Sequence, residues 1–225
     1  MIALVPTMGA LHEGHLALVR KARENASRVI VSIFVNPTQF AAHEDFGAYP
    51  RQTESDTEKV EQVGGHLIYA PKKEEMYPPD FSTNIIVGGV SEGLCGLTRP
   101  HFFSGVATIV TKLFLQVMPD VAVLGEKDYQ QLLVVRQLVR DLNIPVQILG
   151  SPIIREEDGL AWSSRNAYLN AQERTKAPLV HSTISSIARE IAGGLQINSA
   201  LKTGRSQLEA AGFIVEYLEV RDSNN

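Results

Sequence analysis

Apolar residues follow two rhythms along this chain. Compact β-branched runs at 2–5, 28–35, 67–70, 84–87, 121–124 and 146–149 read as short strands. The run at 28–35, nearly continuously apolar, predicts a central strand buried on both faces. Between them lie stretches with helical spacing. Leu16, Val19 and Ala22 mark a helix over 16–25, and 53–63 is acidic first and apolar at Val60 and Val63 before Gly64-Gly65 stops it. Ser104 is an N-cap for 104–117, which Met118-Pro119 ends, and 129–142 is a further helix. Residues 71–80 read as a surface loop and 92–103 as irregular. Strand–helix alternation of this kind predicts a parallel sheet covered on both faces. After residue 151 the rhythm changes: 172–192 and 199–211 look helical and 213–220 alternates like a strand.

Bulk properties narrow the function classes. The 225 residues carry a net charge of −4 without a basic tract, which argues against nucleic acid as a partner. No apolar run approaches a membrane span, and the start Met-Ile-Ala-Leu-Val lacks the basic region of a signal peptide, so no membrane association is expected. A single cysteine, Cys95, fits a reducing, cytoplasmic setting.

Chemistry concentrates where strands end. Pro6 and Gly9 break the first run, and His12 and His15 stand where the next helix begins. Strand, glycine-containing turn and helix place this segment at the carboxyl end of a strand, where open parallel sheets bind ligands. A helix N-terminus offers unpaired N–H groups and a positive dipole end, which suits phosphate. Spacing alone leaves the two imidazoles open between a metal pair, a phosphate site and an incidental surface pair. A metal would want a third ligand, which no nearby Cys or Asp supplies, and Gly14 permits close backbone approach; both favour phosphate. Asn36-Pro37-Thr38-Gln39-Phe40 follows the second strand, beside the first turn if the strands are neighbours, although its composition is also that of a plain turn. Gly125-Glu126-Lys127-Asp128 repeats the geometry of the first turn. There Lys127 could offset triphosphate charge and Asp128 could hold Mg²⁺, or the two could form a solvated turn. Ser163, Ser164 and Arg165 make an anion-binding set within a common loop composition.

Together these blocks resemble the pantoate–β-alanine ligase family of the HxGH nucleotidylyltransferase superfamily. Pro6-Thr-Met-Gly-Ala-Leu-His-Glu-Gly-His15 is similar to its long HxGH signature. Asn36-Pro-Thr-Gln-Phe40, Glu44-Asp45 with Tyr49-Pro50-Arg51, and Gly125-Glu-Lys-Asp-Tyr-Gln-Gln131 match later blocks, and Ser163-Ser-Arg-Asn166 is similar to a phosphate loop. The resemblance implies ATP-dependent adenylation of (R)-pantoate and attack by β-alanine, releasing AMP and pyrophosphate, with Mg²⁺ accompanying ATP. It also implies a homodimer. By resemblance His15 and His12, with Lys127 and Arg165, are catalytic, and His15 is a proton donor. ATP is implied to lie along Met8, Gly9, Ala10, Leu11, His12, Glu13, Gly14 and His15. Gly125, Glu126, Lys127 and Asp128 join them, with Asp128 as the metal ligand, as do Ile154, Trp162, Ser163, Ser164 and Arg165. Gln39 and Gln131 are implied to hold pantoate, with Asn36 and Arg99 beside them.

Two places depart from the pattern. The family's Arg-Pro-Gly-His-Phe is here Arg99-Pro100-His101-Phe102-Phe103, so Arg99 carries over and His101 falls on the glycine position. Trp162 stands where Met or Leu is usual. Family members also carry residues before the first strand and after the last one seen here. The expected fold is therefore α/β, a Rossmann-like doubly wound parallel sheet over 1–151, followed by a smaller, incomplete α+β lid domain over 152–225, with the site in the cleft between them. The competing functions are an adenylyltransferase for another small acceptor and a nucleotide-binding module without turnover.

Overall fold

The computed structural model describes residues 1–41 and 44–222. The chain divides into two units, Met1–Ile153 and Ile154–Asn225. The first contains strands β1 (Ile2–Thr7), β2 (Arg28–Ile33), β3 (Leu67–Tyr69), β4 (Val121–Gly125) and β5 (Gln147–Ser151). All are parallel, in the order β3-β2-β1-β4-β5. Among its described residues the α-helices are α1 (Glu13–Asn25), α2 (Thr53–Gln62), α3 (Lys73–Met76), α4 (Leu94–Thr98), α5 (Phe102–Val117) and α6 (Tyr129–Asp141).

Residue alternation sends the strands' side chains to opposite faces. Ala3, Val5, Val29, Val31, Val121 and Val123 meet Leu18, Val19 and Ala22 of α1 and Val60 of α2. Leu4, Ala122 and Leu124 meet Val106, Val110 and Phe114 of α5 and Leu132 and Val135 of α6 on the other face. Burying each Val, Leu or Phe among these contributes about 1.5–3 kcal/mol, so both helix layers are held by apolar area. The chain builds outward from β1 through β2 to β3, then crosses to β4 and β5. The direction of winding therefore reverses between β1 and β4, and the crevice outside their carboxyl ends is where such sheets bind ligands.

Several elements depart from the sequence pattern. The central strand is β1, with β2 beside it. Pro6 does not break β1, which runs to Thr7; pairing with β4 ends at Leu4, so proline's missing N–H falls past that ladder. Residues 84–87 form no strand. Ile85 donates its N–H to Thr108 Oγ1 at 3.0 Å, and Val87 packs with Phe103 and Ala107, so this apolar stretch lies on α5 instead of at a sheet edge. Within 71–80 the short helix α3 forms, because Met76 is fully buried and Glu75 accepts the N–H of Lys72 at 2.6 Å. The irregular stretch contains α4, entered through positive φ at Gly93 and Leu94. α5 starts at Phe102, two residues ahead of Ser104, with His101 at the cap position.

The second unit holds α7 (Ala171–Lys176), α8 (Leu179–Ala192) and α9 (Ile197–Ala210). One helix was expected over 172–192; Pro178, which cannot donate an N–H, divides it into α7 and α8. Residues 213–220 form no strand: Ile214 is 95% exposed, and the segment is tied by Arg205 donating to the Val215 carbonyl at 2.7 Å.

One close approach carries the fold into the site. A Cβ at Gly105 of α5 would lie 2.6 Å from the Thr38 carbonyl oxygen and 2.8 Å from the Gln39 nitrogen. In an open helix Gly→Ala gains about 1 kcal/mol. Here backbone opposes the methyl on both atoms, and overpacking costs about 1–3 kcal/mol. Gly105→Ala is therefore expected to lower the urea midpoint of unfolding; a raised midpoint would show that α5 and the 36–39 turn separate freely.

Candidate active site

The turn between β1 and α1 is set by backbone geometry. Gly9 has φ +84, and a Cβ there would lie 3.0 Å from Ile33 Cγ2 and 3.1 Å from Asp56 Oδ2. Ala10 follows with φ 51. Thr7 Oγ1 accepts the Gly9 N–H at 3.2 Å and donates to the Ser32 carbonyl at 2.7 Å, fixing the turn to the end of β2.

α1 is capped by imidazoles. His12 is the N-cap, and its Nδ1 accepts the Gly14 N–H at 3.1 Å. The His12 N–H in turn points at Nδ1 of His15, 3.4 Å away. The His15 and Leu16 N–H groups both go to the His12 carbonyl, at 2.8 and 3.1 Å. The unpaired N–H groups expected at this helix end are thus largely spent within the protein, because a histidine at the cap can accept what a phosphate would have taken. The consequence is a fixed tautomer: an Nδ1 that accepts cannot carry the proton, so the proton sits on Nε2 of both rings. The rings lie 4.1 Å apart between centroids.

Electrostatics keeps both rings neutral. Burial, then the charges of Lys127 and Lys59, lowers the pKa of His12 to about 4. Burial first, then His12, Lys127 and Lys59, lowers that of His15 to about 3. Lys127 reaches the pair electrostatically from the 3₁₀ turn Glu126–Asp128 at the end of β4, so the two strand ends at the switch point share one field. Asp128 is 61% exposed at its side chain and lies 3.5 Å from Lys127 Nζ. Such a loosely held, accessible carboxylate fits a Mg²⁺ ion that arrives on phosphates. Among the described residues no three His, Cys, Asp or Glu side chains converge to hold a metal by themselves.

Asn36, among the residues expected beside pantoate, is buried. Its Nδ2 donates to Gln39 Oε1 and to the Gly105 carbonyl, both at 3.1 Å. Its Oδ1 accepts from Tyr77 OH at 2.7 Å and Thr38 Oγ1 at 3.0 Å. This network orients the Gln39 amide so that its Nε2 points to Met8 Sδ at 3.1 Å, toward the signature turn. Burial pushes the Tyr77 phenol pKa upward, which keeps it a donor. Arg99 forks onto both oxygens of Glu44 at 2.6 Å, reaches the Gln39 carbonyl at 3.1 Å and stacks on Phe102. Its hydrogen bond holds the Glu44 carboxyl below the usual carboxylate range. His101 Nε2 is buried without a hydrogen-bond partner. Glu13 pairs with Arg20. Gln131 lies in the first turn of α6, while the neighbouring Gln130 is spent on the Val90 and Gly93 carbonyls.

Within the second unit, Ile154, Trp162, Ser163, Ser164 and Arg165 belong to one local structure. Arg155 and Ala161 bridge, Trp162 donates to the Ile154 carbonyl at 3.0 Å, and Gly159 turns at φ +92. Ser163 caps the 3₁₀ turn Ser164–Tyr168 by accepting the Arg165 N–H at 3.3 Å. Asn166 fastens this turn to Glu156 Oε1 and the Ala161 carbonyl, and Arg174 grips Glu156 and Asp158.

Asp56, Lys59 and Tyr77 escape a reading from sequence, and Glu44 was given no role by it. Glu44 was matched only as part of a family block, and Lys59 stands among the polar residues of the 53–63 helix, so neither composition nor spacing singled them out. Asp56 stands at i to Val60 and Val63 at i+4 and i+7, so a carboxylate on the apolar face of this helix was the available signal.

The depressed imidazole pKa values fix a pH dependence. A histidine whose folded pKa lies below the unfolded 6.5 binds its proton more readily when unfolded, so stability is complete above pH 6.5 and falls as pH drops toward 4. His15→Gln removes one such group. The difference in unfolding free energy between wild type and His15→Gln is expected to shift by on the order of 2 kcal/mol between pH 7.5 and 4.5, against the wild type at the lower pH. Urea titrations at the two pH values check this, and an unchanged difference would mean that His15 is not held neutral.

Comparison with known proteins follows the same lines. The family model described as Pantoate-beta-alanine ligase matches residues 1–225. The pantothenate synthetase of Rhodospirillum rubrum is 56% identical over 222 residues, covering 98% of this chain and 79% of that protein. That of Caulobacter vibrioides is 56% identical over 225 residues, 100% of this chain and 79% of that protein. Among solved structures, pantothenate synthetase from Thermus thermophilus superposes with a TM-score of 0.96 at 46% identity, covering 99% of this chain and 82% of that one. A pantoate-beta-alanine ligase from Francisella tularensis, complexed with beta-gamma ATP and beta-alanine, gives 0.88 at 34% identity over 98% of this chain and 82% of that one. The paired imidazoles at the switch point, the glutamine turn beside them and a match that runs the whole length place the chain in the pantoate-beta-alanine ligase family.

Proposed function

We propose that the neutral imidazoles of His12 and His15 act as paired Nε2–H donors to the α-phosphate of ATP during the ligation of pantoate to β-alanine. That ATP-dependent C–N bond formation, through a pantoyl adenylate and with release of AMP and pyrophosphate, is the reaction of the family to which the chain belongs. The observation that carries the residue assignment is the capping pattern, in which Gly14 and His12 N–H groups occupy both Nδ1 atoms and leave the proton on Nε2.

In the first step the pantoate carboxylate attacks the α-phosphorus and pyrophosphate departs. A carboxylate is already ionised at neutral pH, so no general base is required. What the protein supplies is placement and stabilisation of the charge that gathers on the phosphoryl oxygens. Donors placed for the transition state raise the rate, whereas uniform attraction to ATP lowers only KM. His15, by resemblance the proton donor, serves the departing pyrophosphate, and Lys127 offsets phosphate charge. Asp128 would hold the Mg²⁺ that accompanies ATP, and that ion would neutralise charge on the phosphates. Ser163, Ser164 and Arg165, from the lid domain proposed for residues 152–225, grip the phosphates; Ile154 and Trp162 flank the adenine. Gln39 and Gln131 hold pantoate, with Asn36 and Arg99 bearing on it through Gln39. In the second step the β-alanine amine attacks the acyl carbon and AMP leaves. A cytoplasmic homodimer completes the reading, by family resemblance.

One exchange assay tests this in three ways. Labelled pyrophosphate is expected to exchange into ATP with pantoate and Mg²⁺ present and β-alanine absent; exchange that requires β-alanine would contradict the stepwise route. His15→Ala is expected to lower that exchange at least ~100-fold in a folded protein, the scale of a lost transition-state donor, and near-normal exchange would remove His15 from the mechanism. In the same assay Ser164→Ala and Arg165→Ala are expected to raise KM for ATP more than for pantoate; an equal rise, or one for pantoate alone, would exclude a phosphate clamp.

A further inference from the structure

α2 grips the signature turn with two charged side chains. Asp56 is 0% exposed, and each of its oxygens accepts a separate backbone N–H: Ala10 donates to Oδ2 and Leu11 to Oδ1, both at 2.8 Å. Positive φ at Gly9 and Ala10 turns successive N–H groups toward one side, the kind of concavity that binds anions, and here the anion belongs to the protein. Three residues further along α2, Lys59 donates its Nζ to the Leu11 carbonyl at 2.8 Å. That carbonyl belongs to the Leu11–His12 peptide, whose N–H points at His15 Nδ1. Asp56 therefore holds the two peptides before this one, and Lys59 holds this one by its oxygen.

A buried carboxylate is a costly way to close a turn, because desolvation must be offset by full hydrogen bonding. Closing the turn alone would need only a neutral acceptor. The charged, two-pronged grip also fixes the rotation of the peptides on which both imidazoles are set, and small displacements of a catalytic group can cost about 100-fold in rate. Resting on the reading of His12 and His15 as phosphate donors, we propose that Asp56, assisted by Lys59, is a positioning residue for adenylation: α2 splints the turn so that both imidazoles meet the phosphate in register.

The test is single-turnover adenylate formation with enzyme in excess over ATP, at saturating pantoate and Mg²⁺, measured by rapid quench. The rate constant reports geometry per folded molecule, while the amplitude reports the folded fraction. Asp56→Asn keeps the shape but sets an amide N–H against a backbone N–H. Its rate constant is expected to fall at least about tenfold, with the Kd for ATP changed less than about threefold. Lys59→Met, a milder change at a part-buried site, is expected to fall by about fivefold or more. Val60→Ala loses apolar packing on the same helix without touching the turn and is expected to stay within about threefold of wild type. Rate constants within about twofold of wild type for Asp56→Asn and Lys59→Met, with only the amplitude reduced, would overturn the proposal. So would a fall in Val60→Ala equal to that of Asp56→Asn. If Asp56→Asn does not fold, Lys59→Met decides by the same threshold. His12→Ala separates the two levels: an unchanged rate constant there would remove the histidine reading and this inference with it. A collapse in His12→Ala beside unchanged Asp56→Asn and Lys59→Met would overturn this inference alone.

Discussion

The N-terminal turn of α1 must place its N–H groups on some acceptor, and in this chain the acceptors include the Nδ1 atoms of two histidines. Much of the site follows from that. An aspartate would cap the helix equally well but would offer only acceptors and no N–H beyond the cap. An imidazole accepts with one nitrogen and donates with the other, so the residue that closes the helix also carries an N–H that can donate away from the cap. Because the cap needs an unprotonated Nδ1, folding and the protonation state of the site are coupled.

The sheet order makes this local device useful. Reversal of the winding between β1 and β4 sets the imidazole turn and the Lys127 turn at adjacent strand ends, and β2 brings the Asn36–Gln39 turn to the other side of β1. Lysines on α2 and after β4 oppose protonation of the rings while remaining attractive to phosphate. Charge, burial and hydrogen bonding act in one direction on His12 and His15. On the opposite flank, Arg99 and Glu44 satisfy each other and hold the Gln39 carbonyl, so this pair acts on the site through a backbone group.

The parallel sheet was legible because its strands are short apolar runs alternating with amphipathic helices, and both periods survive in a single sequence. The signature turn was legible because glycine and histidine have few substitutes there. Tertiary partners were not legible. Residues 84–87 have strand composition but find Thr108 and Phe103 of α5 instead of a strand edge. The segment 213–220 alternates, yet alternation does not provide a neighbour to pair with. Asp56 shares the inward face of Val60 and Val63, but that its partner there is the Gly9–Leu11 turn is set by the fold. For the same reason the helix N-terminus was read as open to phosphate: that its N–H groups already meet His12 depends on side-chain rotamers, which spacing does not encode.

The protonation state of the two imidazoles is the claim on which the chemistry turns, and it can be seen directly. In protein labelled with ¹⁵N at histidine, long-range ¹H–¹⁵N spectra at pH 7 distinguish the neutral Nε2–H tautomer from the Nδ1–H tautomer and from imidazolium. His12 and His15 are predicted to show the neutral Nε2–H pattern, with Nδ1 unprotonated, and to keep it down to about pH 5, well above their depressed pKa values. Averaged shifts that titrate near pH 6.5, or an Nδ1–H pattern on either ring, would contradict it.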